Sequence, residues 1–163
     1  MILTSVFASF FMSPSATGPA WATGTWTWPV VGPVVRGFEP PTSAYGPGHR
    51  GIDIATAIGT VVRAPAPGVV TFAGMVAGQR YVTIDHGGGL LSTCSFLSGV
   101  LVHKGDLVAQ GDPIALSGAG HPGDTIPNLH LGVRLNGQYV DPLDYLGPAS
   151  LVDLIGLAPL PPG

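Results

Sequence analysis

Twenty-five glycines and seventeen prolines interrupt this 163-residue chain every few positions. Proline removes a backbone donor and clashes with the preceding helical turn, and glycine loses more freedom than any other residue on entering a helix. No helical spacing of apolar residues survives that punctuation for a useful length. What remains are short β-branched and aromatic runs: Val61-Val62, Val69 to Phe72, Tyr81 to Ile84 and Leu90 to Phe96. Bounded by Gly-containing turns, they read as successive antiparallel strands. The stretches "DHGGGL" and "LNGQYV" are hairpin signals, the second carrying an Asn136-Gly137 pair suited to a type I′ turn. In "GDLVAQGDPIALSG", Gly105-Asp106 and Gly111-Asp112 each mark a turn between short strands. The expected fold is all-β: a compact antiparallel sheet or sandwich of short strands with little helix. At 45% hydrophobic residues, one such domain can bury a real core.

Charge narrows the partners. The formal net charge is −3, and the six Lys and Arg residues are scattered singly, so no basic stripe exists to hold a phosphate backbone. Nucleic acid is excluded as a partner on that ground. Residues 1–22, "MILTSVFASFFMSPSATGPAWA", pair an apolar run from Ile2 to Met12 with a small-residue site at Ala20-Trp21-Ala22, the pattern of a signal peptide. That run is too short to span a bilayer by itself. The expectation is an exported chain starting near Thr23 that spans no membrane once processed. Residues 23–44 read as an extended segment wrapping onto a core, with Trp26 and Trp28 two apart and facing one side. Residues 45–146 form the domain, and residues 147–163 a tail allowing at most one helical turn before proline stops it. The single cysteine, Cys94 in "LLSTCSFL", permits no internal disulfide and reads as a buried thiol.

Five histidines remain to be explained. In "GHRGID", His49 lies four residues before Asp53; on a straight strand the two would face one side about 13 Å apart. Gly51 between them allows a bend or bulge that brings them together. A distant histidine on a strand, His130 in "NLHLGVRL", would complete a three-ligand set with one open position, the catalytic rather than the structural zinc pattern. His103 reads as a solvated turn residue and His86 as a structural hydrogen-bonding one.

The order of the segments adds to this. "GHRGIDIATAIGTVVRAPAPGVVTFAG", then "YVTIDHGGGLLSTCSFLSGVLVHKGDLVAQGDPIALSG", then "LHLGVRLNGQYVDPLDYL" resemble, over residues 45 to 146, the lysostaphin-type zinc endopeptidases of metallopeptidase family 23. These are exported enzymes that cut peptide cross-links in bacterial cell walls. The resemblance implies Zn²⁺ held by His49 and Asp53, the family's HxxxD pair, and by His130, the second histidine of its HxH motif. The first histidine of that motif is Asn128 here. The family's other catalytic histidine, in a Tyr-x-His-Leu segment, aligns with Phe96 of "CSFL". All three ligands are kept and both catalytic histidines are replaced.

Losing one oxyanion donor typically costs about a hundred- to a thousandfold in turnover. Asn128 can still donate a hydrogen bond to an oxyanion but cannot relay a proton. His121, in the loop "GAGHPGDTIP" that leads into the His130 strand, is the candidate stand-in. The resemblance therefore implies a zinc metallopeptidase-like domain, extracellular or in the cell wall, acting on peptidoglycan peptide cross-links. Its alternative is a zinc-binding module that binds wall peptide or regulates a partner hydrolase without cutting. Specificity is expected from the loops "EPPTSAYGPG" and "GAGHPGDTIP".

Overall fold

A computed structural model describes residues 25–43 and 46–148. The expected signal segment and nearly all of the expected tail lie outside these residues. Ten strands follow in chain order: β1 (Val34–Arg36), β2 (Ile52–Ala55), β3 (Val61–Arg63), β4 (Gly68–Val76), β5 (Gln79–Asp85), β6 (Leu90–Val100), β7 (Leu107–Val108), β8 (Pro113–Ser117), β9 (Asn128–Leu135) and β10 (Gln138–Val140). A 3₁₀ turn over Pro142–Asp144, capped by the Asp141 side chain, is the one helical element among the described residues. The all-β expectation holds.

Every pairing between these strands is antiparallel, and the main path runs β1-β2-β9-β6-β5-β4-β7. β10 adds to β9, and β8 joins β6 to β3. The turns follow from residue type. Asn136 and Gly137 both have positive φ, 50° and 83°, as the type I′ turn requires. Ala77 and Gly78 do the same between β4 and β5.

Alternation along the central strands sorts two faces. Ile52 and Ile54 of β2, Leu129, Leu131 and Val133 of β9, and Val82 and Ile84 of β5 are fully or almost fully buried in one core. Cys94 belongs to it, and burial pushes its thiol up to about 12. Trp26 closes the core from the N-terminal side, with its backbone bonded to Tyr145 and Gly147 and its ring tilted against His86 and Tyr145. Trp28 packs beside it and donates from Nε1 to the Gly147 carbonyl. The opposite face of β2, β9 and β6 carries Asp53, His130 and Ser95, and that face holds the site.

His86 is buried, with Nδ1 donating to the Pro67 carbonyl at 2.8 Å and Nε2 accepting from Ser92 Oγ at 2.8 Å. The His103 side chain is 93% exposed at a turn.

Candidate metal centre

Strand register does most of the assembly. Asp53 on β2 stands opposite His130 on β9, and His130 stands opposite Ser95 on β6. Being one residue off the core positions Ile52, Ile54, Leu129 and Leu131, Asp53 and His130 must face away from the core. His49 lies outside β2, where its backbone exchanges two hydrogen bonds with Glu39. The bend at Arg50 and Gly51 turns it back over the strand, so that His49 Nε2 sits 3.1 Å from Asp53 Oδ2 rather than a strand's length away. Only glycine fits that bend: a Cβ at Gly51 would fall 2.2 Å from the Leu131 carbonyl oxygen and 2.8 Å from His130 Nε2.

Four donor atoms converge there. His130 Nδ1 is 2.8 Å from Asp53 Oδ1 and 3.1 Å from His49 Nε2. His121 Nε2 is 3.3 Å from Asp53 Oδ1 and 3.2 Å from His130 Nδ1. Zinc–ligand distances of about 2.0–2.1 Å make the edge of a coordination tetrahedron about 3.3 Å, so these separations suit four ligands of one ion. Among the described residues no other cluster of three or more His, Cys, Asp or Glu side chains converges in this way.

Proton accounting gives an independent test of fit. His49 Nδ1 lies 2.7 Å from the Gly37 carbonyl, which can only accept, so Nδ1 carries the hydrogen. When the ring is neutral, Nε2 is left with the lone pair and faces the Asp53 carboxylate. Two acceptors 3.1 Å apart repel unless a cation lies between them. An outer hydrogen bond that fixes the tautomer is also what orients a metal-ligating histidine. Burial alone would raise the Asp53 carboxyl, but the His130 hydrogen bond and the charges of His130, His49 and His121 outweigh it and hold the group below its ordinary range. Burial pulls the His130 imidazole below its ordinary value, against the Asp53 hydrogen bond and charge. A carboxylate held ionised and a His130 imidazole biased toward its neutral form both suit a divalent ion.

His121 arrives from the β8–β9 loop, on a turn in which Asp124 Oδ2 accepts from the His121 backbone N–H at 2.8 Å. Asn128 reaches the same oxygen: its Nδ2 donates to Asp124 Oδ2 at 2.8 Å and to the Ile126 carbonyl at 3.0 Å. The Asn128 side chain is thus buried under the loop, both amide hydrogens engaged, and does not line the groove. Phe96 lies against His121 with ring centroids 4.3 Å apart and holds a φ of 58°, unusual for a bulky residue. Asp124 is the part of this site that the sequence motifs did not single out, and the packing of Phe96 on His121 was likewise not read from them. The signal for Asp124 was present, because "HPGD" repeats the Gly-Asp pattern of "HKGD" and "AQGD".

The centre opens on a groove of about 690 Å³. His49, His121 and His130 line it with Ser95 and Phe96, while arginines stand toward one flank and Phe72, Val76 and Tyr81 of β4 and β5 toward the other.

Comparison with known proteins agrees with this geometry. The model of peptidase family M23 matches residues 47–142. The murein hydrolase activator NlpD of Escherichia coli is 34% identical over 124 residues, which cover 75% of this chain and 31% of that protein. A zinc-containing peptidase from Vibrio cholerae superposes with a TM-score of 0.64 at 31% identity, over 77% of this chain and 41% of its own. The antimicrobial peptidase lysostaphin from Staphylococcus simulans superposes with a TM-score of 0.67 at 27% identity, over 80% of this chain and 58% of its own. The chain spans half, or less, of the length of the curated relatives it matches.

Proposed function

Because this chain belongs to peptidase family M23, we propose that it holds Zn²⁺ at His49, Asp53 and His130 and hydrolyses peptide cross-links of peptidoglycan, outside the cell or in the wall. The observation that carries this reading is the convergence of His49 Nε2, the Asp53 carboxylate and two further imidazole nitrogens at ligand spacing on the wall of a groove. Kinship with a zinc-containing peptidase and a murein hydrolase activator supports it.

Zinc bound there supplies Lewis-acid polarisation of a scissile carbonyl and a lowered pKa for water. The chain's own residues divide the remaining work. Asp53 brings the negative charge, and the Gly37 carbonyl keeps the His49 lone pair on Nε2. His121 is the groove-lining imidazole supplied by a loop rather than by the sheet, able to take a proton at Nε2 and return it to a leaving amine. Phe96 backs its ring, and Asn128 acts through Asp124 on the loop that presents it.

The test is zinc content and peptidoglycan release measured on one purified sample. About one equivalent of zinc is expected, with His130→Ala losing most of it together with release. His121→Ala should keep the zinc and lose release by a factor of about 10² to 10⁴. Equal zinc in wild type and His130→Ala would overturn the site.

A second reading rests on one observation: His121 Nε2 stands as close to Asp53 and His130 as a ligand would. Four protein ligands make a closed, structural zinc site. The domain would then bind wall peptide or regulate a partner hydrolase. In that case wild type releases nothing, and His121→Ala weakens zinc binding.

A further inference from the structure

Three of the chain's six cationic side chains, Arg36, Arg50 and Arg134, line the groove, and no carboxylate does. On a chain of net charge −3 this is a local reversal of sign. Arg50 and Arg134 lie over the same Tyr139 ring, 5.8 and 5.7 Å from its centroid. The two guanidiniums are thus gathered about one ring, and two like charges so gathered favour an anion beside them. Among the described residues Arg134 forms no salt bridge, the Arg36–Glu39 pair is 3.8 Å long and solvent-exposed and so offsets little of the Arg36 charge, and Arg50 donates from Nη2 to the Gly46 carbonyl at 3.0 Å.

The path from the metal centre to this cluster is direct. His130, Gly132 and Arg134 alternate along one face of β9, so Arg134 lies about 13 Å from His130 along the strand. Gly132 leaves the floor between them open: a Cβ there would crowd the Arg50 carbonyl oxygen at 3.1 Å. An extended peptide running beside β9 would carry a group three or four residues from its reacting bond up to the guanidiniums. Guanidinium forks match carboxylates in geometry and charge.

We infer that this flank is a specificity site for peptides bearing free carboxylates, with Arg50 and Arg134 as its anchors and Arg36 strengthening the field. The inference rests on the groove being the peptide site of the proposed function, but not on hydrolysis. Calorimetric titration of the whole, zinc-loaded chain tests it with two probes. One is acetyl-Ala-Ala-Ala-Ala-Glu with a free C-terminus; the other is the same peptide with Gln and a C-terminal amide. The charged peptide should bind about tenfold or more tighter, and raising the salt to about 0.5 M should erase most of that preference. Arg134→Gln should remove about tenfold for the charged peptide and nothing for the neutral one. Arg63→Gln, outside the groove, should change neither. Equal binding of both probes, binding of neither, or a preference that Arg134→Gln leaves intact would overturn the inference. Peptidoglycan release by the same samples reads hydrolysis separately. Release unaffected by Arg50→Gln and Arg134→Gln would sink carboxylate recognition and leave the hydrolase standing. A charge preference without release would do the reverse.

Discussion

Asn128 and Phe96, the positions that the sequence resemblance sets against the family's catalytic histidines, both bear on His121. The amide of Asn128 holds Asp124, Asp124 holds the backbone of His121, and the Phe96 ring backs its imidazole. Two substitutions that separately read as losses share one beneficiary. If His121 is the proton-carrying group, Asp124→Ala should cost release between about ten- and a hundredfold with zinc content intact, the range for groups that orient a site from outside it. Adding His121→Ala should then cost no more than His121→Ala alone, because residues acting through one another are not additive. Fully additive losses in the double variant would show that Asp124 acts on something else. That His49, Asp53 and His130 come together was legible, because a glycine bend between the first two and the family resemblance both pointed to them. The clamp was not, because a hydrogen bond between positions 124 and 128 depends on loop conformation that composition does not encode.

At the scale of elements, one local pattern recurs three times. In His103–Asp106, Ala109–Asp112 and His121–Asp124 the Asp side chain accepts from the first residue's backbone N–H at 2.8 Å. The glycine before each Asp has a φ of 87–98°, as a turn with left-handed third residue demands. The first two turns place β7 and β8; the third serves the site. The first two were readable from their Gly-Asp pairs, whereas the third follows no strand-like run and passes as loop. Strand boundaries were readable for the same reason that faces were, since alternation of β-branched and polar residues survives in β5, β6 and β9. His86 ties such elements together, joining Pro67 before β4 to Ser92 on β6 beneath Trp26. Burial pulls its imidazole below the ordinary value, against the Pro67 hydrogen bond and the charge of Asp85. The unfolded chain therefore takes up this proton first as pH falls below about 6.5. The contribution is complete above that pH and is lost on acidification toward the folded-state value. Melting temperatures between pH 7.5 and 5 should fall less steeply in His86→Gln than in wild type, even though the variant starts lower. Parallel curves would mean that His86 stays neutral in neither state preferentially.

Across the whole molecule, the centre ties two side chains from outside the strands to a strand pair that the sheet already joins. His49 precedes β2, Asp53 lies on β2, His130 on β9, and His121 on the loop between β8 and β9. Their donor atoms crowd at 2.8–3.3 Å about the Asp53 carboxylate, which without an ion holds the imidazoles only by hydrogen bonds from their protonated nitrogens. With an ion the same crowding becomes coordination, and binding energy becomes folding energy. The chain has few other means of fastening this face: its only cysteine is buried in the core, and charged residues make up 9% of the sequence. Free zinc at about a hundred times its dissociation constant would add about 2.7 kcal/mol to stability. For a domain of this size that is a rise of roughly 10 °C in melting temperature. Wild type should show it on titration with zinc and lose it on chelation, and Asp53→Asn should show little of it. Because melting reads the metal directly, the result holds whether or not the domain cuts peptide. An equal rise in wild type and Asp53→Asn would place the bound zinc elsewhere.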